Sequence, residues 1–173
     1  MARSPGRVAR RIAELYEGAA DRPLRGYAVV LGTYGAVVSA LGVLARATGT
    51  RLPNRVGLGD TALLGIATHK ASRLLTKDAV TAPLRAPFAR FEEESGLSEV
   101  NESVRGHGTQ HAVGEVLTCP FCLAVWVATG LTAGMVFAPR ITRIVATMLA
   151  AVAASDTLQI GYDAAKQAVQ KLS

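Results

Sequence analysis

Apolar residues in this chain fall into four long stretches, at about 29–45, 56–68, 113–138 and 141–161, separated by segments that hold most of the charge. A helix needs about 20 residues to cross ~30 Å of hydrocarbon at 1.5 Å per residue. Three of the stretches meet that length and predict spanning helices over about 26–46, 116–137 and 141–161. The second is ambiguous alone, because thirteen mostly apolar residues, broken by Asp60, run into His69, Lys70, Ala71, Ser72 and Arg73. The distribution of Lys and Arg decides it, since cytoplasmic flanks collect basic residues. Four spans with the N-terminus inside put fourteen of the nineteen basic residues on the inner side, whereas the best three-span arrangement divides them eleven to eight. A span over 56–76 is therefore expected, with both termini cytoplasmic and an inner loop over 77–112.

The polar segments have patterns of their own. Within residues 1–25, Val8, Ile12, Leu15 and Tyr16 recur at helical spacing opposite Arg7, Arg10, Arg11 and Glu14, which predicts an amphipathic helix lying on the cytoplasmic membrane surface. A cleaved secretory signal is not expected: the first apolar run starts too late and is too long for an h-region of ~7–15 residues, although Ala45, Arg46 and Ala47 form an A-x-A. In the inner loop, Leu84, Phe88 and Phe91 alternate with Arg85 and Arg90 in a segment suited to the headgroup layer. Glu92, Glu93, Glu94, Glu99 and Glu102 then form an acidic stretch, either solvated or a docking surface. The expected fold is thus all-α, a polytopic four-transmembrane-helix bundle over residues 26–173 with amphipathic interfacial helices in the N-terminal segment and the loop.

Composition sharpens this picture. Only 18% of residues are charged, against ~25% in ordinary soluble proteins, and aromatic residues supply 5%. The apolar mass is mainly Ala, Val, Leu and Gly, which lets helix backbones approach closely. Gly130 and Gly134 form a GxxxG, and Gly32, Ala36 and Ala40 form a small-residue ridge. Such ridges pack helices within one chain or between copies. A net charge of +6 would suggest nucleic acid in a soluble protein. Here the basic residues flank apolar runs without interleaved aromatics, so no nucleic-acid partner is expected.

Chemistry concentrates in two places. The tetrapeptide CPFC, Cys119 to Cys122, is expected on the first turn of the third span with Thr118 as N-cap, and proline is tolerated there. A helix start favours a thiolate, the basis of a thiol redox reading. A metal reading would recruit His107 and His111 to Cys119 and Cys122 as a four-ligand zinc set. The third reading is plain packing beside Trp126. In the second span, His69, Arg73 and Lys77 repeat at helical spacing with Lys70 beside them, so a basic stripe enters the membrane. Lys70 and Asp156 both lie about six residues, or ~9 Å, from the cytoplasmic ends of their spans, which predicts an intramembrane pair. Snorkelling of Lys70 and Arg73 to the headgroups is the alternative.

No nucleophile, base and orienter triple, phosphate loop or complete metal set stands out. The expectation is a non-enzymatic interaction or assembly component of the bacterial cytoplasmic membrane, with the bilayer and a second copy or another membrane protein as partners. Zinc is the sole candidate cofactor. The alternatives are a cytoplasmic-face thiol or metal site on CPFC, and a small transporter or ion pathway lined by Lys70, Arg73, Asp156 and Glu115.

The segments HKASRLLTKDAVTAPLRAPFARF and GEVLTCPFCLAVWVA, in that order, resemble the bacterial membrane family known as domain of unknown function 1360. Arg73, Asp78, Pro83, Arg85, Gly114, Glu115, Thr118, Cys119, Cys122 and Trp126 stand at the matching places, from about residue 65 to the end of the fourth span. Leu123 and Ala124 replace the glycine common after the family's CxxC, a departure that bears on local packing. The resemblance implies a polytopic membrane protein and brings no reaction, substrate or cofactor.

Overall fold

The computed structural model describes residues 22–53, 55–96 and 98–172, with the isolated positions 6, 11, 15 and 16. The expected N-terminal amphipathic helix, which depends on Val8 and Ile12, lies outside the described residues. The protein is mostly helical, at 76%. The described residues form helices α1 (Leu24–Ala47), α2 (Leu58–Thr76), α3 (Ala82–Arg85), α4 (Thr109–Thr118), α5 (Pro120–Phe137) and α6 (Pro139–Leu172), with strands β1 (Ala89–Glu94) and β2 (Val100–Val104).

Three helices, Leu24–Ala47, Pro120–Phe137 and the stretch Pro139–Lys171, are long and apolar enough to cross a membrane. Their most apolar windows are only 0%, 6% and 6% buried inside the protein. Side chains such as Leu31, Val43, Val125, Ile144 and Leu158 are exposed instead, and surfaces of this kind suit a membrane or a protein partner. The interior is correspondingly small-grained: Ala67, Ala89, Val100, Ala112 and Ala146 are its buried apolar members. Helix α2 is regular over 19 residues but carries Asp60, Lys70 and Arg73 and is not among the three. Helix α6, at 34 residues, extends ~51 Å and continues well past the expected stop near residue 161. The residues beyond Gly161 contain good helix formers and no proline, so nothing ends the helix there.

The loop at 77–112 departs from the expectation of interfacial helices. It folds as a 3-10 turn at Ala79–Thr81, the single turn of α3, and an antiparallel β1–β2 hairpin, followed by the start of α4. Pro83 is accommodated in the first turn of α3, and Pro87 follows soon after its end, which confines that helix to four residues. The chain reverses at residues 95–99, where Gly96 and Ser98 adopt positive φ. A bulge between Phe91 and Glu93 shifts the pairing from Phe91↔Glu102 to Glu93↔Asn101.

Two compact units are distinguishable, one containing the residues up to Leu44 with Leu74–Leu123, the other Ala45–Arg73 with the chain from Ala124 onward. In the first, α1 and α4 touch at backbone distance: a Cβ on Gly26 would lie 2.5 Å from the Gly108 carbonyl oxygen. In the second, α5 and α6 make the same kind of approach. A Cβ on Gly134 would lie 2.5 Å from Thr142 Oγ1, while one on Gly130 would meet nothing within 4 Å. The GxxxG is therefore half used inside the chain.

Candidate functional site

The most buried charge among the described residues is Arg85, whose residue exposure is 0%. It ends α3, and all five of its N–H groups have acceptors. Nε donates to Glu102 Oε2 at 2.5 Å and Nη2 to Glu102 Oε1 at 3.2 Å, a bidentate pair. Nη2 also reaches the Asp78 carbonyl at 3.1 Å, and Nη1 reaches the Leu75 carbonyl at 2.9 Å and Thr81 Oγ1 at 2.7 Å. Thr81 in turn donates to the Leu74 carbonyl at 2.6 Å. One guanidinium thus joins the end of α2, the 3-10 turn and β2. A bridge between Asp78 and Glu99 and the bond from Val100 N to the Lys77 carbonyl seal the same junction. Of the five glutamates read as an acidic stretch, Glu102 turns inward and Glu92, Glu93 and Glu94 remain exposed.

Cys119 sits between two helices. Its N–H closes α4 on the Glu115 carbonyl at 3.1 Å, its φ and ψ of −105° and 111° are extended, and its carbonyl opens α5 by accepting from Leu123 N at 3.0 Å. Pro120 explains the break, because a residue before proline is pushed out of the helical region while proline itself suits the first helical position. Thr118 is therefore not the N-cap. It is the last residue of α4, and its hydroxyl bonds back to the Gly114 carbonyl at 3.0 Å. Cys119 takes the N-cap position instead, its Sγ accepting from Cys122 N at 3.4 Å. Burial disfavours the Cys119 thiolate, but the Cys122 thiol, the N–H groups of Cys122 and Phe121 and the charge of Lys77 outweigh it and hold this thiol below the ordinary cysteine range.

The expected metal ligands are not gathered. Among the described residues no three His, Cys, Asp or Glu side chains are grouped to hold an ion. His107 precedes α4, His111 lies in its first turn and Cys119 follows its last, so eight residues, or ~12 Å of helix axis, separate His111 from Cys119. His111 instead faces Glu115 at 3.7 Å, and Glu115 also lies 3.9 Å from Arg22. Trp126 is half-buried on α5, and Arg73 is half-buried near the end of α2.

In the second unit, Lys70 Nζ lies 2.8 Å from Asp156 Oδ2. A further pair, Asp60 with Arg143, makes two hydrogen bonds at 3.0 and 3.2 Å. The sequence reading missed this pair, although the equal-depth argument applied to Lys70 also finds it: Asp60 is the third residue of α2 and Arg143 the fifth of α6. Glu102 was missed because its partner is fixed by hairpin register rather than by spacing.

Removing Glu102 as an anion should leave Arg85 buried and uncompensated. Glu102→Gln and Arg85→Met are each expected to cost ~3–5 kcal/mol, read as loss of folded protein in detergent thermal unfolding. Arg85→Lys should rescue little, since three ammonium donors cannot replace a five-donor planar fork; stability equal to wild type in Arg85→Lys would refute this account. In the chain with both cysteines, the iodoacetamide rate at Cys119, followed on its own peptide by mass spectrometry, should rise with pH around a midpoint lower than the ~8.5 of a free thiol, because a lowered pKa leaves thiolate present at lower pH. Lys77→Gln should move that midpoint upward. A midpoint at or above the free-thiol value contradicts the assigned environment.

The family model described as "Protein of unknown function (DUF1360)" matches residues 63–162. The chain is also similar to "Sporulation protein YjcA" of Bacillus subtilis (strain 168), at 38% identity over 69 residues, which is 38% of this chain and 58% of that protein. The match thus spans little more than half the length of that relative. No solved structure matches. Since the family match covers more than half the chain and includes Arg85, Glu102, Cys119 and both ion pairs of the second unit except Asp60, the protein belongs to the DUF1360 family of unknown function.

Proposed function

We propose that the chain is a four-span, non-enzymatic interaction or assembly component of the bacterial cytoplasmic membrane, with residues 77–112 on the cytoplasmic side. The carrying observation is the pair of charge contacts between α2 and α6. Asp60 meets Arg143 and Lys70 meets Asp156, so the two helices run in the same direction. The rungs stand ~15 Å apart along α2 and ~20 Å along α6. Since α6 is long and apolar enough to cross a bilayer, a parallel neighbour over that distance supports α2 as the fourth span. Ionisable residues within a span are tolerated when paired, and Asp60 and Lys70 both are. The parallel direction also agrees with the basic-residue count, which runs both helices from outside to inside.

The assembly role is supported by the use made of polarity. Arg85 is saturated by internal partners and builds a shaped surface from a short loop. Lys70 and Asp156 neutralise each other, which gives a transport route through them no support. Spore formation is the proposed setting, and it comes from the name of the similar protein. A second reading has one favourable observation: Cys119 at the N-cap of α5, with Cys122 close by and the thiol pKa lowered, suits thiol chemistry at the cytoplasmic face.

Two experiments test these readings. In a cysteine-free chain, single cysteines at Thr50 and Ser95 should label with an impermeant thiol reagent from opposite sides of the membrane. Three spans put both on one side, and that outcome would remove the four-span reading. Expressed in a Bacillus subtilis strain lacking the similar sporulation protein, the chain should restore the yield of heat-resistant spores, and Cys119→Ser with Cys122→Ser should restore it equally. No restoration excludes the sporulation setting; restoration lost only in the serine variant replaces assembly with thiol chemistry.

A further inference from the structure

We propose that the cleft between the β1–β2 hairpin and the start of α4 binds a phosphate group, either on an anionic lipid headgroup or free in solution. This goes beyond the assembly and thiol readings and depends on neither. The cleft has a volume of about 560 Å³, and its walls include Arg90, Arg105, His107 and His111. Four basic side chains on so short a segment are brought together by the fold. Arg90 on β1 pairs in register with Ser103 on β2, and Arg105 leaves the end of β2 with Nη1 on the Ala86 carbonyl at 3.2 Å. Only one of its donors is taken by that bond. Gln110 is fixed to the wall by its bond to the Pro87 carbonyl at 3.0 Å.

The start of α4 adds to the positive potential. Its N-cap is Gly108, which has no side chain to cap it, and Gly106, His107, Gln110 and His111 around this helix start line the cleft, so the positive end of the helix dipole lies beside it. Two carboxylates lie nearby. Glu92 accepts from Ser103, and Glu115 faces His111 at 3.7 Å, so the Ser103 hydroxyl and the His111 ring are already engaged. Arg90 and Arg105 remain as the positive wall. A planar guanidinium fork matches two phosphate oxygens at once, and two forks beside a helix start provide more donors than a carboxylate can use. The volume falls in the range of small-molecule clefts, roughly 300–1,000 Å³, so the group that carries the phosphate also fits. On the cytoplasmic leaflet such a cleft would meet anionic lipid directly.

The test uses the full chain in nonionic detergent with two probes. Inorganic phosphate is titrated calorimetrically against chloride at equal ionic strength, and retention of phosphatidylglycerol over phosphatidylcholine is counted by native mass spectrometry. At least one probe should bind, with affinity falling tenfold or more in Arg90→Gln with Arg105→Gln. Arg90→Gln alone, at an exposed position, should lower it measurably without a folding defect. Lys166→Gln with Lys171→Gln removes the same charge elsewhere and should leave binding unchanged. Phosphate binding assigns a free anion, and binding of phosphatidylglycerol alone assigns a headgroup. Binding of neither probe, equal loss in both double variants, or wild-type binding in Arg90→Gln with Arg105→Gln overturns the proposal.

Discussion

The buried guanidinium of Arg85 is the constraint from which the rest of the first unit follows. A charge removed from water is tolerable only with a counter-ion and a full set of hydrogen bonds, and Arg85 obtains both: Glu102 supplies the charge, and Leu75, Asp78 and Thr81 supply the remaining oxygens. The acceptors come from three local elements, the end of α2, the 3-10 turn and β2. The geometry of one planar group therefore fixes where α2 ends, how the 3-10 turn bends and which register the hairpin adopts. A hairpin of two strands has little stability alone, and here β2 is anchored through Glu102. The hairpin then packs on α4, where Gly114 leaves room for the Phe88 carbonyl and the Val104 side chain. Through α4 the same constraint reaches His111, Glu115 and Cys119.

In the second unit charge is held differently, by ion pairs between two long helices, one of them apolar enough to cross a membrane. The two pairs have opposite polarity: the acid is on α2 in the Asp60 rung and on α6 in the Lys70 rung. Sliding α2 along α6 by one turn would break both pairs together, and turning it end for end would put Asp60 near Asp156 and Lys70 near Arg143. Paired charges thus specify register and direction, a task the small apolar residues of these helices cannot perform alone. Thr142 behaves alike at shorter range, satisfying its hydroxyl on the Ala138 carbonyl at 3.0 Å while filling the space opposite Gly134.

How much of this was legible in the sequence depends on how local each determinant is. The three apolar helices follow from length and hydropathy, which are properties of single segments. Lys70 and Asp156 could be brought together from their equal distances to the ends of the two expected spans, an argument that needs only the helix rise. The hairpin could not be read in advance. Its strands are short, β1 contains three successive glutamates, and its register depends on a bulge near Glu92 and on Arg85 from another element. Only tertiary pairing selects Glu102 from five similar residues, for a slip of one position would send a neighbouring side chain inward. The His107 and His111 set failed for a simpler reason. Spacing along the sequence makes HxxxH and CxxC look near one another, but the continuous helix α4 holds them apart.

The same helix explains why Cys119 and Cys122 stand where they do. Had α4 run unbroken into α5, Cys119 and Cys122 would lie on an uninterrupted helix and neither thiol would meet an unpaired backbone N–H. Pro120 forces Cys119 into an extended conformation. That single change ends one helix, starts another, and directs Cys119 Sγ at the first-turn N–H of Cys122. A thiol in an N-cap role is a poor substitute for the hydroxyl of Ser or Thr as a structural acceptor, since sulfur bonds weakly. Thr118 is immediately adjacent, yet its hydroxyl is committed to α4. Packing alone does not account for placing the softer atom at the junction; the lowered thiol pKa there does give it a distinct chemical property. The motif is therefore both a hinge point in the helix geometry and a place where thiolate is favoured, whichever of these the protein uses.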